Sequence, residues 1–278
     1  MTTARDGWDM PISEDQLARL TRDMETAHRD TLPAMRASAV DLAEDIRGNL
    51  GKQGAREDGP SDPARRRFLF GAGGLAAAMA LAACSSSDKH DSAAAPSGSA
   101  SASASGSSKS QYTGDLKVVA LAVALENQAV GAYQATLKAA KAGKLGTVPP
   151  AVATFVTTAM AQHADHAKAW NAVLTGAGKP AITNVPLSNQ PATLAALGKA
   201  KTVTDVANLA LTLEDQAAQT YLFATYNVSA AAGIATAATI APVEAMHAAI
   251  LNFVLGKYPV PDDFLPTDKA ASPALLTV

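Results

Sequence analysis

The chain has one cysteine in 278 residues, Cys84. A disulfide within the chain needs two, and a thiolate-held zinc or iron–sulfur centre needs at least a pair, so none of these can form. Arginine is missing from everything after Cys84, where 12 lysines stand against 12 aspartates and glutamates. So balanced a region offers phosphates no basic surface from which to release counterions, which argues against nucleic acid as a partner. Aromatics are scarce at 5%, thin for a β-sandwich core, whereas alanine is plentiful; both favour an all-α chain. Hydrophobic residues reach 48%, enough for a sizeable core in one or two domains.

The composition changes several times along the chain. Residues 1–62 are highly charged, and apolar positions such as Leu17, Leu20, Met24, Leu32, Met35, Val40, Leu42 and Ile46 predict one or two amphipathic helices interrupted at Pro33. Residues 63–84 differ: "RRRFL" leads into an uncharged, alanine-rich run from Phe68 to Ala83 that carries three glycines. Its 16 residues fall short of the roughly 20 apolar residues a stable membrane span needs. Arg65 and Arg66 ahead of Phe68–Leu69 resemble a twin-arginine export signal, and "LAAC" ending at Cys84 resembles a lipobox, in which the cysteine is lipidated. Residues 85–112 are Ser, Ala and Gly without apolar periodicity, the composition of a flexible tether. Those features place the remainder on the outer face of the cytoplasmic membrane, with the export machinery and the membrane as partners. Residues 1–62 are then either a cytoplasmic extension or lie partly upstream of a start at Met24 or Met35.

Residues 113–258 read as four helices. The first runs over Gly114–Ala142, and the second opens at Pro149–Pro150 and stops at "GAGKP" after Thr175. After a proline-containing connection over 176–202, the third covers Val203–Tyr226 and the fourth Ser229–Gly256, leaving 259–278 as a tail. Two short-linked pairs joined by one long crossover form an antiparallel four-helix bundle. The pairs repeat one another: "LAVALENQAVGAY" (121–133) aligns with "LALTLEDQAAQTY" (209–221), and "QHADHAKAWNAVL" (162–174) with "VEAMHAAILNFVL" (243–255). A pseudo-twofold follows, with equivalent positions facing one another in the interior.

Chemistry concentrates on those positions. After Cys84 the chain has three glutamates, Glu126, Glu214 and Glu244, and beyond the tether its histidines are His163, His166 and His247. Glu126 and Glu214 are equivalent in the first and third helices. Glu244 and His247 stand three residues apart, about 60° around a helix, so both reach one interior point; His163 and His166 do the same. Asp165 is about 200° from His163 and is expected outside. Three buried carboxylates are costly unless paired, protonated or coordinated, and with no arginine in this region to pair with, metal is the natural compensation. This oxygen and imidazole set suits iron or manganese and admits zinc. Tyr133 and Tyr221, each seven residues after a glutamate, share the inner face and read first as core, with hydrogen bonding to a ligand or a redox role as the alternative; Trp170 and Phe253 read as packing, and Pro242 is expected to kink the fourth helix.

Taken together, residues 114–258 resemble the ferritin-like superfamily in its exported bacterial branch. The resemblance implies one Glu on each of two helices, here Glu126 and Glu214, and a Glu-x-x-His on each of the others, here Glu244 with His247, around a di-iron or di-manganese centre. His166 matches the remaining histidine. His163 departs from the pattern, standing where the family has glutamate, which raises the site's charge by one and removes an oxygen donor. The resemblance implies iron binding, with ferroxidase-like oxidation of Fe(II) as the activity open to it. Two other functions stay open: a non-catalytic scaffold lipoprotein, and a single-span regulator with residues 1–62 as a cytoplasmic effector.

Overall fold

The computed structural model describes residues 10–53, 111–260 and 266–278, which belong to one compact unit. Arg65, Arg66 and Cys84, with the signal and nearly all of the tether, lie outside the described residues. Among the described residues six α-helices follow in order: α1 Glu14–Gln53, α2 Asp115–Lys141, α3 Pro150–Gly176, α4 Gln190–Lys199, α5 Val203–Asn227 and α6 Ala231–Val254. A 3-10 turn spans Pro273–Leu275, and among the described residues the only β pairing is an isolated bridge between Leu187 and Leu276.

The boundaries follow local chemistry. Pro150 opens α3, where its missing N–H would be unpaired in any case. Gly178, with φ 72°, ends that helix in a left-handed turn that lets Lys179 N–H reach the Leu174 carbonyl at 2.8 Å. At the start of α5, Thr202 and Asp205 form a reciprocal capping box. The long connection is more ordered than its prolines predict, since it contains α4. Pro242 lies within α6 at an exposed position, and the helix continues through it to Val254.

The helices form a bundle in which α2 pairs with α3 and α5 with α6. Among the described residues four apolar clusters are buried, two of them large. One gathers Val119, Val123, Trp170, Val173, Tyr221 and Ile240, and the other Tyr133, Phe155, Val156, Leu211, Leu251 and Val254. Helix α6 is apolar and long enough for a membrane span, but here it is a bundle helix with Glu244 and His247 turned inward. Tyr112, expected at the end of the tether, is instead buried in the first cluster.

Helix α1 is the largest difference from the expected organisation. Residues 14–53 form one continuous helix, with Pro33 exposed on its outer side, and pack against α3 and α6. The two helices run parallel: Glu14 accepts from Ala151 N–H, Glu25 meets Gln162, and Ala43 lies against Gly176. That last approach needs glycine, because a Cβ there would stand 2.7 Å from the Ala43 Cβ. Leu17 and Met24 enter one large apolar cluster and Met35, Ala39 and Leu42 the other, so α1 closes the side of both.

Candidate metal centre

A polar layer lies between the two large apolar clusters. Glu126 from α2, His163 and His166 from α3, Glu214 from α5, and Glu244 and His247 from α6 converge there, each side chain at most 1% exposed. They form two overlapping sets of donors, Glu126–His163–His166–Glu244 and His163–Glu214–Glu244–His247; within each, the donor atoms lie within 4.8 Å of one another. Glu244 and His163 belong to both.

His163, the departure from the family pattern, sits at the crossing. Its Nδ1 is 2.7 Å from Glu126 Oε2 and its Nε2 is 3.1 Å from Glu214 Oε1, so one imidazole spans the carboxylates of α2 and α5. His247 Nδ1 is 3.1 Å from Glu214 Oε2 and equally far from Glu244 Oε2. His166 Nδ1 comes within 2.8 Å of Glu244 Oε1 and 3.5 Å of Glu126 Oε1, and among the described residues neither it nor Glu244 Oε1 makes a hydrogen bond. His166 Nδ1 and Glu244 Oε1, buried and converging without a hydrogen bond between them, fit a cation at that point.

The charges of the layer balance internally. Burial would raise the Glu126 carboxyl, but the imidazoles of His166 and His163 hold it at about 2. Burial acts the same way on Glu214 and is overcome by His163 and His247, which keep it well below the usual carboxylate range. Conversely, burial would lower the histidines, yet Glu244, Glu214 and Glu126 raise His163 well above its ordinary value, Glu126 and Glu244 bring His166 to about 9, and Glu214 and Glu244 raise His247.

The tyrosines do more than fill space. Tyr133 O–H donates to Glu214 Oε1 and Tyr221 O–H to Glu126 Oε1, a reciprocal pair that realises the pseudo-twofold of the sequence. Burial and the adjacent carboxylate push both phenols well above their usual range, so they remain donors. Trp170 Nε1–H donates to Tyr221 Oη at 2.9 Å, whereas Phe253 is 37% exposed and packs less than its spacing suggests. Asp165 points away from the layer and pairs with Arg36 of α1 at 3.1 Å.

Two polar residues of this region were not legible as site residues. Gln162 is buried beside His247, with its Oε1 2.8 Å from His247 Nε2. His28 of α1 is also buried, with ring centroid 5.2 Å from that of His166. Its place in the stripe Leu17, Thr21, Met24, His28, Met35, Leu42 was the available signal, since a histidine at an apolar position of a helix faces whatever that helix covers.

A family model described as a ferritin-like domain matches residues 110–257, more than half of the chain. No curated protein and no solved structure matches it. Helix α1 lies wholly outside the matched segment.

Proposed function

The chain belongs to the ferritin-like domain family, and from that premise we propose that its helices α2, α3, α5 and α6 are a ferritin-like four-helix bundle that binds iron and oxidises Fe(II). The observation that carries this reading is the buried layer of three glutamates and three histidines, whose ligand atoms gather in two sets and in which, among the described residues, His166 and Glu244 Oε1 have no hydrogen-bond partner. Iron is the ion that this mixture of hard carboxylate and imidazole donors suits best, with manganese and zinc as competitors. Bound iron supplies the redox chemistry, each Fe(II) giving one electron to dioxygen or peroxide as external oxidant.

The protein's own share is binding and insulation. Glu126, Glu214 and Glu244 would neutralise the cation, and His166 and His247 would help to hold it. Tyr133 and Tyr221 each hold Oε1 of their glutamate and so orient the carboxylate, whose Oε2 faces His163 in Glu126 and His247 in Glu214. His163 supplies an imidazole where a second bridging carboxylate would favour two ions, so the first ion is held more firmly than the second. The apolar clusters on either side exclude water.

The same proposal places the domain outside the cytoplasmic membrane: residues 63–84 act as a twin-arginine signal with lipobox, Cys84 carries the lipid, and 85–112 tether the bundle. Export through a pathway for folded proteins would let the metal enter before translocation. Loss of lipid labelling in Cys84→Ser is the check on the anchor.

A second reading, a metal-free scaffold, is favoured by one observation: three carboxylates and three imidazoles already neutralise one another. Elemental analysis after loading separates the two. We expect at least one equivalent of metal, abolished by Glu126→Ala or Glu214→Ala while the circular dichroism of the helices is retained. Less than one equivalent in the wild-type chain, or full binding in either variant, refutes the metal-centre reading.

A further inference from the structure

Helix α1 reaches the metal centre through one buried amide. Glu25 Oε2 accepts from Gln162 Nε2 at 2.8 Å, and Gln162 Oε1 lies 2.8 Å from His247 Nε2. The directions of these bonds are forced. An ionised carboxylate can only accept, and burial of Glu25, which would favour its proton, is outweighed by its bonds to Gln162 and Arg29. Gln162 must therefore turn its NH2 toward α1 and its carbonyl toward α6. A carbonyl accepts only, so His247 must carry hydrogen on Nε2. The nitrogen left for the ion is Nδ1, which already faces Glu214 and Glu244 at 3.1 Å.

We infer that α1 is a built-in supporting helix for the metal centre, in which Glu25, acting through Gln162, fixes the tautomer and orientation of His247. The inference rests on the metal-binding reading above and assigns positioning roles to two residues, one of which lies outside the segment shared with the family. Partners that orient a ligating histidine in this way commonly change metal affinity by about 10-fold to 100-fold when removed.

The test uses the full chain and Co(II), whose visible absorption reports ligand geometry. Glu25→Ala and Gln162→Leu are each expected to weaken Co(II) binding about 10-fold or more and to shift the absorption bands. Glu25→Gln, which keeps an acceptor oxygen, should recover most of the affinity. The double variant Glu25→Ala/Gln162→Leu should bind no more weakly than Gln162→Leu alone, because both act through one relay. Unchanged affinity and spectrum in Glu25→Ala, or costs that add in the double variant, overturn the inference while leaving the metal centre standing. A wild-type chain that takes up no Co(II), Fe(II), Mn(II) or Zn(II) overturns both.

Discussion

Two Glu-x-x-His turns meet in this molecule, Glu25 with His28 on α1 and Glu244 with His247 on α6. On α6 both side chains enter the polar layer, where Glu214 also faces His247 and raises its affinity for a proton. On α1 the glutamate is part-exposed and paired with Arg29, and the histidine lies against another imidazole. Burial, together with His166 and His247, depresses His28 to about 4, whereas His166, one ring away, sits at about 9. The tetrapeptide pattern is the same; what differs is the number of carboxylates facing each ring. A ligand motif becomes a site only where neighbouring helices supply complementary charge.

The comparison sharpens first at His163, the ring that stands between the acids. His163→Glu restores the family's pattern but puts a fourth carboxylate into a layer with one imidazole fewer. Without metal it is expected to lose about 3–5 kcal/mol of stability, the usual result of leaving a buried charge unpaired. With metal, the loss should reverse and the bound stoichiometry should rise toward two ions. Thermal unfolding with and without Fe(II), alongside elemental counting, measures both arms. A stoichiometry unmoved by the added carboxylate would mean that His163 does not limit the second position.

Acid and base should then act on the two regions in opposite directions. His28 has a folded value of about 4 against an ordinary 6.5, so it is kept neutral in the fold. The unfolded chain gains that proton first, and the stability present above pH 6.5 is lost as pH falls toward 4. Asp165 and Glu25 face His28 and moderate this loss, while His166 and His247 add to it. His166 has the opposite sign: raised to about 9, its contribution is complete below pH 6.5 and is lost as pH rises through 9. The metal-free chain should therefore be most stable near pH 6.5, with each limb worth about 3 kcal/mol at most. His28→Phe is expected to flatten the acid limb alone, read as melting temperature against pH.

The four long helices of the bundle and the six converging residues were legible because their signals are local. Capping residues, prolines and a repeat mark the ends and faces of helices, and Glu126 aligned with Glu214 needs only sequence to be seen. The role of α1 was not legible, because a charged amphipathic helix does not state what its apolar stripe covers. Glu25 and His28 lie more than 130 residues before Gln162 and His166, beyond a stretch of entirely different composition. The tyrosines failed for a related reason: spacing placed them inside, but the crossed bonds to Glu214 and Glu126 exist only once α2 and α5 face each other.

The smallest expected effect separates two ways in which α1 could matter. Arg36 on α1 pairs with Asp165 on α3, but their side chains are 55% and 35% exposed, so solvent screens the attraction. Arg36→Ala should change stability by no more than about 0.5 kcal/mol. It removes a contact between the same two helices that Glu25 and Gln162 join, without touching the path to His247. If α1 acts through Gln162, Co(II) affinity in Arg36→Ala equals that of the wild-type chain. If α1 acts only by remaining docked, any weakening of its contact with α3 should loosen the centre, and Arg36→Ala and Glu25→Ala should lose affinity in proportion to their loss of stability. The ratio of affinity change to stability change across these two variants therefore distinguishes a relay from a cover.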